Sequence, residues 1–283
     1  MIETLLEPFT YAYMSNAIWV SALVGATCAF LSSFLVLKGW SLMGDALGHA
    51  IVPGVALAYL LRLPYSVGAF FAGILAAFSM NVIKQKTKLR EDAVIGLVFT
   101  TFFALGLLLV SINPTAVNIQ AIILGNILAI SEYDRLQVVI ISIICLSALS
   151  VKWKDLCAVF FDENHAKSIG LPVSWLNIFF FTLLSAATVA ALQTVGACLV
   201  IAMVVTPGST AYLLTDRFGS LIIISMAIGS TTAALGAYFS YFLDANPGGL
   251  IVSIQTLLFL VIFVFAPKHG LLKAKRDIKR AAL

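Results

Sequence analysis

The chain has 283 residues, of which 61% are hydrophobic and only 11% charged, and its mean hydropathy is +1.05. A soluble domain carries about 45–50% apolar and about 25% charged residues. These proportions exclude an ordinary water-soluble enzyme or binding module and make the bilayer the natural solvent. The formal charge of +4 gives no reason to expect nucleic acid as a partner.

Along the chain, Glu3 and Glu7 stand where a secretory leader would carry basic residues, and no small-residue cleavage pattern follows. The first apolar run is therefore expected to be kept as a span. Nine apolar stretches can be marked, at 16–38, 41–61, 64–84, 92–112, 136–151, 173–192, 196–214, 219–243 and 250–267. Several approach the roughly 20 residues that a helix needs to cross the hydrocarbon layer, and 136–151 is short for that. Backbone in lipid must satisfy its own polar groups, so each span is expected to be helical. The expectation is an all-α polytopic membrane protein, a single domain over 1–283, with nine spans, or eight if one stretch is re-entrant. No linker, low-complexity tract or internal repeat divides it. The cysteines Cys28, Cys145, Cys157 and Cys198 form no C-x-x-C pair and suggest neither disulfides nor a metal site.

The second stretch holds the most unusual polar residues. Of thirteen acids, only Asp45 is clearly drawn into an apolar segment, and of the histidines only His49. Ionisable groups inside spans are costly and usually functional. A spacing of four puts both side chains on one helix face, one turn apart. A carboxylate oxygen with an imidazole nitrogen suits manganese, ferrous iron or zinc. Two ligands are too few to trap an ion, which suits a carrier that must release its cargo, and a dimer would supply four. A buttressing Asp–His pair is the structural alternative. Glu91 and Asp92 open the fourth stretch as N-terminal acids facing the helix dipole.

Two connections stand out. The outer one, about 113–135, is apolar, turns at Asn113-Pro114, and suits either a short helix over 119–130 across the outer mouth or a packed loop. The inner one, 155–172, contains a short amphipathic helix. Asp162 and Glu163 open it, Ala166 and Ile169 share a side, and Gly170 then Pro172 end it. That shape suits docking of a soluble partner, or an interfacial helix with none. In the seventh stretch Thr206, Pro207, Ser209 and Thr210 form a polar, kinked segment that either lines a cavity or simply bends the helix.

With the C-terminus inside, every lysine and arginine except Arg62 and Arg135 falls on the inner side, out of 17. The positive-inside rule therefore places the N-terminus outside and the basic tail, 268–283, in the cytoplasm. No G-x-x-x-x-G-K-S/T loop is present, so the chain is not expected to bind ATP itself. Metalloprotease, nucleophile-elbow and voltage-sensor patterns are also missing.

The string LKGWSLMGDALGHAIVPG at 37–54 resembles the most characteristic segment of the permease subunits of bacterial manganese, zinc and iron ABC importers, the ABC-3 family. EDAVIG at 91–96, LGNILA at 124–129, TPGSTAYLL at 206–214 and DENHAKSIGLPV at 162–173 agree with it. Gly48 stands where the family would lead one to expect serine, and Gly208 where it often has alanine. The resemblance implies an inner-membrane permease that pairs with a second copy or a related permease, two ATP-binding cassette subunits, and an extracytoplasmic metal-binding protein. It implies no permanent cofactor, with Mn2+, Fe2+ or Zn2+ as cargo. It puts Asp45 and His49 on the metal path and makes Asp162, Glu163, Ala166 and Gly170 part of the ATPase docking segment. The expected function is the permease of an ATP-driven importer of manganese or iron, with zinc possible. A stand-alone, gradient-driven carrier or channel is the alternative. A membrane enzyme using a metal at Asp45 and His49 is disfavoured by the absence of any nucleophile or base motif.

Overall fold

The computed structural model describes residues 2–40, 43–112, 127–266 and 270. Among them the chain is helical, without strands. A short helix α1 (Ile2–Thr10) precedes the long α2 (Ala12–Lys38). The second apolar stretch is broken into α3 (Met43–Ala50) and α4 (Val52–Leu60), followed by α5 (Tyr65–Lys86) and α6 (Glu91–Ile112). After a 3-10 turn at Ile127–Ala129 come α7 (Glu132–Phe161), the short α8 (Glu163–Ser168), α9 (Val173–Val195), α10 (Ala197–Leu214), α11 (Phe218–Leu243) and α12 (Pro247–Phe265).

Among the described residues, seven helices are long and apolar enough to cross a membrane, and Ala46–Leu60 and Val200–Leu214 are shorter apolar stretches. Together they coincide with the nine apolar segments of the sequence. Three features depart from that reading. The stretch 41–61 is two helices, because Pro53 has no N–H to give the carbonyl of His49. The span read as 136–151 runs from Glu132 to Phe161, 30 residues or about 45 Å, so part of the expected connection 155–172 continues this helix. Leu156, Val159 and Phe160 stay buried and no glycine or proline intervenes before Asp162. The N-terminal α1 has no counterpart in the sequence reading. The tail 268–283 and most of 119–130 lie outside the described residues.

The bundle is built around α2, whose most apolar window is 72% buried, against 17% for α12. α2 packs most extensively on α11 and then on α10. Lipid offers no hydrophobic drive between helices, so close backbone approach does the work. A Cβ placed on Gly25 would strike the carbonyl oxygen of Gly229 and sit 2.8 Å from the Ala233 methyl. One on Gly229 would meet the carbonyl of Gly25 and the Ala29 methyl. The α4–α5 hairpin repeats this arrangement, with Gly54 against Gly68 and Ala72, and Gly68 against Gly54 and Ala58.

One end of the bundle gathers the C-terminus of α2, the start of α3, the end of α5, α8 and the start of α9. α2 ends in a Schellman cap: Gly39 has φ 74°, its N–H bonds Val36 O, and Trp40 N–H bonds Leu35 O at 2.8 Å. An aromatic cluster fills the space beneath. Phe34 sits edge-on to Phe160, Phe180 and Phe218, and Trp40 lies between Phe160 and Phe181.

Candidate functional site

α3 is only eight residues long and lies inside the bundle against α5, α6, α9 and α10. Its position follows from small residues. Gly44 lets α10 come close, since an added Cβ would be 3.2 Å from a Val204 methyl. Gly106 does the same for α6, where a Cβ would crowd Val52 and the Pro53 nitrogen. Asp45 and His49 therefore share one turn-spaced face of a short internal helix that ends at a proline break. The Asp45 side chain lies outside the described set. His49 is half-buried, and its ring meets Phe99 at 5.3 Å and Phe103 at 5.4 Å, centroid to centroid. Phe99, Phe103 and Gly106 recur at i, i+4 and i+7 on α6, so one face of that helix lines both α3 and the break. The phenylalanines pack on the imidazole, tilted 72° and 54° to it, without competing for a metal.

The proline-bearing segment of α10, which remains one continuous helix, is tied elsewhere. Pro207 removes the bond to the Met203 carbonyl. Ser32 of α2 covers the disturbed turn: its hydroxyl donates to Val205 O at 3.1 Å and accepts from Gly208 N–H at 3.0 Å. Thr210 is fully buried and its hydroxyl donates to Thr206 O at 2.7 Å. Thr206 and Ser209 are half-buried. Of α10, the contact with α3 shown at Gly44 is made by Val204 and not by the Thr206–Pro207–Ser209–Thr210 group. Among the described residues no cluster of three or more His, Cys, Asp or Glu side chains is assembled within this chain.

α8 is shaped by its caps. The Asp162 carboxylate accepts the N–H groups of Asn164 and His165 at 2.9 and 3.0 Å. The His165 N–H above all holds this carboxyl below the usual carboxylate range; the Asn164 N–H and the nearby His165 and Lys38 charges add to it. Gly170, at φ 80°, closes the helix with Leu171 N–H on Ala166 O and its own N–H on Lys167 O. Ala166 is completely buried and anchors α8 to the core, whereas Ile169 is 57% exposed and Phe161, just before the helix, 81%. The outward apolar surface is thus Phe161 and Ile169, not Ala166. Phe161 escaped the sequence reading because it closes an apolar run and resembles any other core residue. Glu163 reaches back to Lys84 of α5 at 3.9 Å and forward to Lys167 at 3.5 Å.

Comparison with known proteins extends this picture. The profile of the ABC 3 transport family matches residues 10–266. A chelated iron transport system membrane protein of Yersinia pestis, YfeC, is 66% identical over 97% of this chain and 94% of its own length. The manganese transport system membrane protein MntB of Synechocystis is 49% identical over 95% of this chain and 88% of its own. The solved structure of PsaBC from Streptococcus pneumoniae in complex with Fab superposes with a TM-score of 0.85, at 34% identity over 97% of this chain and 100% of that one. A helical, multi-pass architecture and a family match along almost the whole chain agree, and the chain belongs to the ABC 3 transport family.

Proposed function

We propose that this chain is the permease subunit of an ATP-driven importer, in a bacterial inner membrane, for a divalent transition metal, manganese or iron foremost and zinc by the same ligand chemistry. The observation that carries this reading is α3: a short helix inside the bundle, ended by a proline, bearing the in-span pair Asp45 and His49. Its support is the likeness, over nearly the whole chain, to membrane subunits named for chelated iron and for manganese transport.

In this reading the N-terminus is outside and α8 faces the cytoplasm, where the lysines at the ends of α2 and α5 also collect. The ion arrives from an extracytoplasmic binding protein. Asp45 supplies a carboxylate oxygen and His49 an imidazole nitrogen, a set that accepts manganese, ferrous iron and zinc alike. A second permease, another copy or a related chain, completes the coordination from its own α3. Sparse ligation lets the ion leave. Chemical energy comes from a separate ATP-binding subunit that docks on α8 around Phe161 and Ile169. Its ATP-driven closure opens the path outward, and hydrolysis resets it. Thr206, Pro207, Ser209 and Thr210 act by setting the bend of α10 beside α3, with Ser32 fixing that bend.

The test is metal uptake by cells carrying the complete transporter, with Asp45→Ala and His49→Ala examined separately and assembly checked by pull-down of the ATPase subunit. Loss of ATP-dependent manganese or iron accumulation in either variant, with assembly intact, is the expected result. Normal uptake in both would remove the pair from the metal path.

A further inference from the structure

α8 and α3 belong to different parts of the proposed machine, yet they are joined by an unbroken series of contacts at the end of the bundle. Glu163, the first residue of α8, lies 3.9 Å from the Lys84 ammonium. That ammonium sits 5.4 Å from the centroid of the Trp40 ring. Trp40 is 6% exposed, stacked on Phe181 at 5.5 Å and edge-on to Phe160 at 5.6 Å. Its backbone is also committed: the carbonyl accepts the N–H of Met43, the first residue of α3, at 3.1 Å. A small cavity lined by Trp40, Met43, Met80, Asn81, Lys84 and Asn177, among others, adjoins these groups.

We propose that Lys84 is a positioning residue: it transmits displacement of α8 to the metal-bearing α3, with Glu163 holding its ammonium on one side and Trp40 receiving it on the other. The proposal rests on the reading of α8 as the ATPase dock and deepens it. Each contact is weak alone, a half-buried ion pair at 3.9 Å and a cation–π contact. Their importance lies in their arrangement in series between two helices. Lys38 is also over the Trp40 ring, at 5.7 Å, but it belongs to α2 and reaches α8 only through the charge it presents to the Asp162 carboxylate. Among the described residues, Lys84 is the cation that pairs with the Glu163 carboxylate while lying over the indole.

This arrangement separates a joint from a simple clamp. Exchanging the charges, Glu163→Lys with Lys84→Glu, restores an ion pair between α5 and α8 but puts an anion over the negative face of the Trp40 ring. Lys84→Arg keeps both contacts. Lys84→Gln loses both.

The experiment uses the complete transporter, with wild-type ATPase subunit and delivery protein, in lipid vesicles. Two quantities are read: manganese moved per ATP hydrolysed, and the change in amide hydrogen exchange of Met43–Ala50 when ATP is added. Lys84→Arg should stay within about twofold of wild type, while Lys84→Gln and Trp40→Leu each lower manganese per ATP about tenfold, an ordinary size for coupling between sites. Both should also abolish the ATP-dependent change in α3, and combining them should make neither readout worse. The charge exchange should assemble and remain uncoupled. Wild-type coupling in Lys84→Gln, or recovery in the charge exchange, overturns the proposal. If the wild-type complex hydrolyses ATP but moves no metal, the transport reading fails. The contrast between Lys84→Arg and Lys84→Gln in α3 exchange then still decides the joint.

Discussion

Two alanine substitutions of the same chemical kind should have opposite effects on stability. Gly96, in α6, has no described neighbour within 4 Å of an added Cβ, whereas at Gly25 that atom would meet the Gly229 carbonyl, with the Ala233 methyl at 2.8 Å. Both glycines are in helix interiors, where alanine is favoured by up to about 1 kcal/mol. Gly96→Ala should therefore be neutral or stabilising. At Gly25 the obstacle is backbone, which has no rotamer to move aside, and overpacking of this kind costs about 1–3 kcal/mol. The net loss is about 1–2 kcal/mol, or a fall in Tm of about 2–8 °C for a chain of this size. Thermal unfolding in detergent micelles, followed by a thiol-reactive dye, suits the test because Cys28 and Cys145 are buried and become labelled as the bundle opens. A Gly25→Ala protein as stable as Gly96→Ala would refute the view that backbone contact between α2 and α11 organises the fold.

Other outcomes can be stated briefly. Ser32→Ala should lower stability in the same assay by about 1–2 kcal/mol, because the Gly208 N–H and Val205 carbonyl lose their shared partner; an unchanged Tm would mean the α10 bend holds itself. Gly170→Ala, forced to φ 80°, should cost about 1–2 kcal/mol and weaken binding of the ATPase subunit in a pull-down. The Asp162 carboxyl is held below its ordinary range, so its capping contribution is complete above the unfolded value of about 3.9 and is lost as pH falls through the lower folded value. Exchange protection of the Asn164 and His165 amides should accordingly be flat from pH 7 to about pH 5, and Asp162→Ala should remove it throughout.

The sequence was most readable where a rule of length or spacing applied. Apolar runs of spanning length became helices because lipid permits little else. The caps of α8 were legible at Asp162 and Gly170, since both act on their own neighbours in the chain. Pro53 was visible too, but a run hydrophobic on all sides gave no sign that it would split one span into α3 and α4. The sequence reading grouped Ala166 and Ile169 on one side of α8 without saying which side faces inward: Ala166 is small enough to bury against the core, while Ile169 and Phe161 turn out. The contacts around the site were the least accessible. His49 with Phe99 and Phe103, Ser32 with Gly208, and Lys84 with Trp40 and Glu163 join residues from different spans. A single sequence carries no record of such pairings.

The split second span also has a consequence for biogenesis. α3 and α4 have eight and nine residues, about 12 and 14 Å, and neither can cross a hydrocarbon layer of about 30 Å alone. During synthesis, a pause at Pro53 would leave half a span in the membrane with its chain ends unsettled. The reciprocal glycine contact of Gly54 with Gly68 offers a remedy, because it lets α4 and α5 leave the insertion machinery as a preformed hairpin. α3 would then be drawn in behind them, so that this short helix packs against protein as it enters instead of facing lipid on its own.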